Sequence, residues 1–226
     1  MANSRNEEKE IIKDVDIYQY PSQLDKRNGN KPVDLALGDL HANYIKLVYF
    51  LITTGVVTLP EEKYLQLVNI YQTQLKLVEL LDRKIRFDKK ISDFNKRIDN
   101  EKSKAISESY TLETQQNEIN KIRQWIENDT KRESQEAYDS TKEPKAYLAE
   151  LGQLKQEAES ILSSIEVVNG ARIILIGDEL ADRGASDYET LYLLNHLRAK
   201  GAAITTIVSN HGMEFLELHE RDKGFE

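Results

Sequence analysis

The stretch ARIILIGDELADRG, residues 171–184, sets a short apolar run from Arg172 to Ile176 against a glycine, two aspartates and an arginine. A β-branched run of this length stopped by glycine reads as a buried strand. Downstream, ASDYETLYLLNHLRAKG (185–201) reads as a helix with Ser186 at its N-cap and Gly201 as its stop. AAITTIVSNHGMEF (202–215) then reads as a second strand breaking at Ser209. Far upstream, VDLALGDLHANYIKLVYFLITTGVV (33–57) runs from a strand through a glycine turn into an apolar helix ending near Gly55. The fold class is therefore α/β, a β-α-β-α-β half-core. Parallel strands joined by crossovers bring GDLH, GDELADRG and SNH to one carboxyl edge, where open α/β sheets keep their ligand sites.

Between the first helix and the second strand lies a long region of different character. From Glu61 to Glu166 there is no proline before Pro144 and no glycine before Gly152. Tyr64, Val68, Tyr71, Leu75 and Val78 form one helical seam, and Tyr147, Leu151, Leu154, Ala158, Ile161 and Ile165 another. The stretch between them is rich in Lys, Glu, Asn and Ser with sparse apolar anchors, as in a thin antiparallel helix pair surrounded by water. A first arm ending near Ser103 would be about 64 Å long at ~1.5 Å per residue, and the return helices, 110–137 and 145–166, are of comparable reach if the tip lies in SKAISESY. The expected organisation is a polar lead-in (1–30), a core (31–60 with 167–226) and an inserted, coiled-coil-like helical hairpin (61–166) touching the core only at its base.

Composition narrows the chemistry. The 226 residues contain no cysteine, which excludes disulfides, thiol catalysis and cysteine-ligated zinc. A formal charge of −8 argues against nucleic acid as partner, because counterion release needs clustered cations. The longest apolar stretch, near Leu47 to Val57, is too short for a bilayer, and MANSRNEEKE lacks a secretory apolar segment. A soluble chain without a membrane span is expected.

The three strand ends carry residues suited to a metal-assisted reaction. Asp39 and His41, two apart, can offer an oxygen and an imidazole to one ion, and Asp178 follows the neighbouring strand. Asn210 offers an amide oxygen, His211 an acid or base, Asp182 a carboxylate to orient that imidazole, and Arg183 a fork for a phosphoryl group. Each is a weak signal alone, since aspartates after strands are commonly turn residues. Three blocks in order, each after an apolar strand, form a joint signal.

GDLH, GDELADRG and SNH resemble the GDxHG, GDxxDRG and GNHE blocks of the phosphoprotein phosphatase branch of the calcineurin-like metallophosphoesterases. The long helical insertion and the ADRG spelling further resemble the Legionella type IV-secreted effector phosphatases. The resemblance covers residues 33–58 and 170–216, the amino-terminal part of such a core. It implies hydrolysis of phosphate monoesters in phosphoproteins by water activated between two divalent ions, Mn²⁺ first, with Fe or Zn as alternatives. It implies Asp39 and His41 on the first metal, Asp178 bridging, Asn210 on the second, His211 as acid oriented by Asp182, and Arg183 on the phosphate. It also implies a cytoplasmic protein or one secreted into a host cell. GDELADRG has one residue more between its aspartates than the family block, Ala42 replaces a glycine and Gly212 a glutamate. Only His219 follows His211, and His196 within its helix reads as a surface or packing residue. The expectation is a truncated enzyme, weak or inactive alone, with a phosphoprotein substrate. The alternative is a helical hairpin that binds a protein partner on a degenerate, non-catalytic core.

Overall fold

Gly38, Ile176 and Ile207 stand level at the ends of three parallel strands. The computed structural model describes residues 15–22, 34–107, 109–135, 142–168, 171–177 and 186–207. In chain order these form β1 (Asp34–Gly38), α1 (Tyr44–Thr53), β2 (Val57–Thr58), α2 (Glu61–Ser103) and α3 (Leu112–Gln135). They continue as α4 (Pro144–Leu162), β3 (Glu166–Val167), β4 (Arg172–Ile176), α5 (Asp187–Ala199) and β5 (Ala203–Ile207). The chain divides into two compact units, residues 1–69 with 158–226, and residues 70–157.

The first unit holds the sheet. Its order is β1-β4-β5, parallel throughout, with Leu35 opposite Ile173 and Ile173 opposite Ile204. Alternation decides which face is covered. Leu35, Leu37, Ile173 and Leu175 are buried, whereas Ile176 is 53% and Ile207 51% exposed. Only one face is covered by described residues, which differs from the two-sided burial expected of an apolar parallel strand.

Helix α1 packs against β1, β2 and α5. Its Tyr44, Ile45, Leu47, Val48, Leu51 and Ile52 are all buried, and each such side chain stabilises the fold by roughly 1.5–3 kcal/mol relative to exposure. Helix α5 contributes Leu193, Leu194 and Leu197 to the same core. Ser186 occupies its N-cap position without a side-chain cap bond, while Gly201, with φ of 93°, ends it as expected.

The antiparallel pair β2–β3 has no counterpart in the sequence reading. Val57 faces Val167 and Thr58 faces Glu166, and the Val168 amide donates to the Val56 carbonyl at 2.9 Å. This pair brings together the two ends of the 59–165 segment within the first unit. Helix α4 also stops earlier than expected, at Leu162 rather than Glu166. The lead-in contacts this unit too: the Tyr20 hydroxyl donates to the Leu59 carbonyl at 2.9 Å, and the Tyr20 and Tyr64 rings meet edge to face at 5.7 Å.

In the second unit α2 ends at Ser103, where the sequence placed the end of the first arm. Ile98 clusters with Ile119 and Ile122, Phe94 faces Trp125 at 6.3 Å, and Lys90 pairs with Asp129 at 2.5 Å. Ascending positions on α3 meet descending positions on α2, so the two helices run in opposite directions here. The connecting turn is closed by Ser107 and Tyr110, and Tyr110 donates its hydroxyl to Glu101. That bond, made to the neutral phenol, pushes the Tyr110 pKa up to about 12. Pro144 opens α4, the position where a missing amide and a fixed φ cost a helix nothing.

Candidate functional site

The strand register builds the site from below. With Gly38, Ile176 and Ile207 aligned, the three strands end level at one edge, and GDLH, GDELADRG and SNH follow those strand ends in sequence. Two glycines permit this. A Cβ on Gly38 would sit 3.1 Å from the Ile176 carbonyl oxygen, closer than a side chain comfortably comes. Gly177 turns the chain out of β4 with φ of 73°, a left-handed geometry that other residues adopt only with strain.

Asp39 and His41 lie on the loop between β1 and α1, Asp39 exposed and His41 half-buried. Their φ angles, 51° and 47°, and that of Ala42, 55°, are all left-handed. Each such non-glycine residue costs roughly 1–2 kcal/mol, and strain of this kind persists only where the surroundings enforce it. Here the enforcement is visible. Leu40 and Ala42 are buried beneath the loop, and the Asn43 side-chain oxygen caps α1 by accepting the Lys46 amide at 2.9 Å.

Lys46 is a residue that the sequence reading missed. Its ammonium donates to the Gly38 carbonyl at 3.3 Å and to the Asp39 carbonyl. Burial pulls its pKa below the usual lysine range, and the Asp39 carboxylate opposes that shift. One ammonium thus stitches the strand end to the first turn of α1. The only sequence signal was a lysine in the first turn of an otherwise apolar helix.

Of the other expected site residues, Asp178, Asp182, Arg183, Asn210 and His211 lie outside the described residues, as does His219. Among the described residues no group of three or more potential metal ligands occurs. Asp39 and His41, a carboxylate and an imidazole on one loop at the sheet edge, fit a first-row divalent ion by donor chemistry. His196, expected at the surface or in packing, is part-buried with its Nε2 3.1 Å from the Ile165 carbonyl. The carbonyl can only accept, so Nε2 carries the proton.

Residues 172–226 match the family model of the WipA-like phosphatase domain. That stretch includes GDELADRG and SNH. Among solved structures the chain is similar to the phosphatase domain of the Legionella effector WipB, with a TM-score of 0.51 and 22% identity. The similarity covers 85% of this chain and 46% of that one, so the chain spans less than half the length of the WipB domain. At that identity the likeness is one of fold. No curated protein matches the sequence. The resemblance to the Legionella effector phosphatases, drawn from the long helical insertion and the ADRG spelling, thus finds support in a family match over residues 172–226 and in a likeness of fold.

Proposed function

We propose that this chain carries the amino-terminal part of a metal-dependent phosphoprotein phosphatase of the WipA-like kind. The observation that carries the reading is the strand register, which ends β1, β4 and β5 level at one sheet edge, and these are the strands that the three motif blocks follow in sequence. The match over residues 172–226 supports it. Asp39, His41, Asp178 and Asn210 would hold two divalent ions, Mn²⁺ by preference. Bound there, the ions would lower the pKa of a water and neutralise phosphoryl charge. The protein's own groups do the rest. Arg183 holds and orients the phosphoryl oxygens through its planar fork. His211 gives a proton to the departing alcohol oxygen, and Asp182 keeps that imidazole in the required tautomer. To reach those positions Asp182 and Arg183 would need a bulge that absorbs the additional residue in GDELADRG.

Within these 226 residues the metal set has a single imidazole, that of His41, so Mn²⁺ is held weakly and turnover is slow. The direct test is hydrolysis of p-nitrophenyl phosphate at high enzyme concentration. Activity is expected with Mn²⁺, to vanish with EDTA, and to fall about a hundredfold in His211→Ala. Mn²⁺-independent hydrolysis would sink the reading.

Lys46 supplies a second prediction. Lys46→Met should weaken Mn²⁺ binding about tenfold, as loss of a group that positions metal ligands typically does. Calorimetric titration giving unchanged affinity would show that Asp39 and His41 are held without it.

Residues 61–166 are proposed as an elongated helical hairpin inserted into the phosphatase core, with residues 1–30 as a lead-in. The antiparallel contacts of α2 with α3 support this. The second functional reading, a hairpin that binds a protein partner on a non-catalytic core, is favoured by Trp125, which stands 45% exposed on α3. Among the described residues no helix is long and apolar enough to cross a membrane. A place in the cytoplasm, or in a host cell after secretion, is consistent with both readings.

A further inference from the structure

In the second unit, Arg83, Arg86, Phe87 and Lys90 recur at three- and four-residue intervals, which places them on one face of α2. Asp129 and Arg132, three apart on α3, face them across a cleft of about 240 Å³ lined by these six side chains. Four cations therefore share the cleft with one carboxylate. Asp129 is only 16% exposed and is held by Lys90 at 2.5 Å and by Arg132 at 3.4 Å. The Arg86 Nε donates to the Asp82 carbonyl at 3.3 Å. Such a concentration of positive charge is conspicuous in a chain of net charge −8.

Next along the same two helices stand the aromatic side chains Phe94 and Trp125. Lys90 lies over the Phe94 ring at 5.8 Å, and Arg97 lies over Trp125 at 5.2 Å. An exposed indole on the same helix pair as the cleft's guanidinium groups offers a second kind of contact. Arginine forks take phosphoryl oxygens in pairs, and the ring takes an apolar or aromatic neighbour.

We propose that this cleft binds a phosphorylated segment of a partner protein, with the phosphoryl group among Arg83, Arg86 and Arg132 and an adjacent side chain on Trp125. A nucleic acid would need a longer track of cations than one cleft supplies, and the acidic remainder of the chain repels it. A lipid surface calls for a broad apolar face flanked by cations rather than a cleft lined mostly by charged side chains. The proposal stands on the α2–α3 pair alone and does not depend on catalysis at the sheet edge.

The test is fluorescence anisotropy of the full chain in EDTA, which removes any metal-dependent phosphate site. The probes are labelled peptides with a central aromatic residue and one phosphoserine or phosphotyrosine, together with their unphosphorylated forms. Single-stranded DNA and phosphatidylserine vesicles serve as competitors. At least one phosphorylated peptide should bind more tightly than its unphosphorylated form. The Arg86→Gln, Arg132→Gln double variant should weaken that binding about tenfold or more, with an unchanged circular dichroism melt because both side chains are exposed. Equal binding of the phosphorylated and unphosphorylated forms would overturn the proposal, as would an unaffected double variant. Stronger capture of DNA or vesicles would also overturn it, as would binding that appears only with Mn²⁺.

Discussion

Asp178→Asn is expected to lower Mn²⁺-dependent hydrolysis by a factor of about a hundred or more while moving stability by less than about 1 kcal/mol. The reason lies in the strand order. Asp178 follows β4, the central strand, and the blocks carrying Asp39 and Asn210 leave from β1 and β5 on either side. If the proposed divalent ions bind at this edge, a carboxylate following the central strand would be among the groups that hold them. An amide of the same size keeps the volume and loses the charge that would offset the proposed divalent cations. The drop should appear mainly in the metal concentration needed for half activity, and in residual turnover at saturating Mn²⁺. An Asp178→Asn chain that turns over at the parental rate would remove Asp178 from the site. The register would then be only a feature of the fold.

The sheet was legible because its strands are short apolar runs, each closed by glycine or a polar break, and such runs have few alternatives. The end of α2 at Ser103 was legible for a related reason. The anchors stop at Ile98, and residues 99–104 are all polar or charged. The end of α4 was not. Ile165 continues the helical seam by spacing and is buried, yet it sits beyond the helix and next to β3. Burial of one isoleucine satisfies either conformation, so periodicity could not separate them. Two-residue strands such as β2 and β3 have no periodicity to read. Asp39 and His41 were singled out correctly as neighbours at the strand end, but the left-handed backbone they share is a property of tight packing around Leu40 and Ala42. Lys46 and the basic cleft were missed for one reason. Lysines and arginines on helices normally read as solvated charge, and only the fold shows which of them gather.

Ala42 stands where the related motif has glycine, and the structure explains what that exchange costs. Ala42 is fully buried with φ of 55°. Alanine tolerates the left-handed region at roughly 1–2 kcal/mol, but a β-branched side chain there is a true outlier. Ala42→Val should therefore destabilise the chain by about 3 kcal/mol, from backbone strain together with two methyl groups that have no space. The melting temperature should fall by roughly 6–12 °C. Ala42→Gly should behave differently. Relief of about 1–2 kcal/mol of strain is offset by a buried methyl group worth about 0.8 kcal/mol and by about 0.4–1 kcal/mol of added freedom in the unfolded chain. The net change should lie within about 1 kcal/mol of zero. Because Ala42 separates His41 from the Asn43 cap of α1, the valine should also displace the imidazole and weaken Mn²⁺ binding, while the glycine leaves it intact. Thermal melts and metal titrations of the two variants side by side decide the matter. A valine variant as stable as the parent would mean that the loop is not held in this left-handed turn, and Asp39 and His41 would then lose the enforced geometry on which their proposed use as ligands rests.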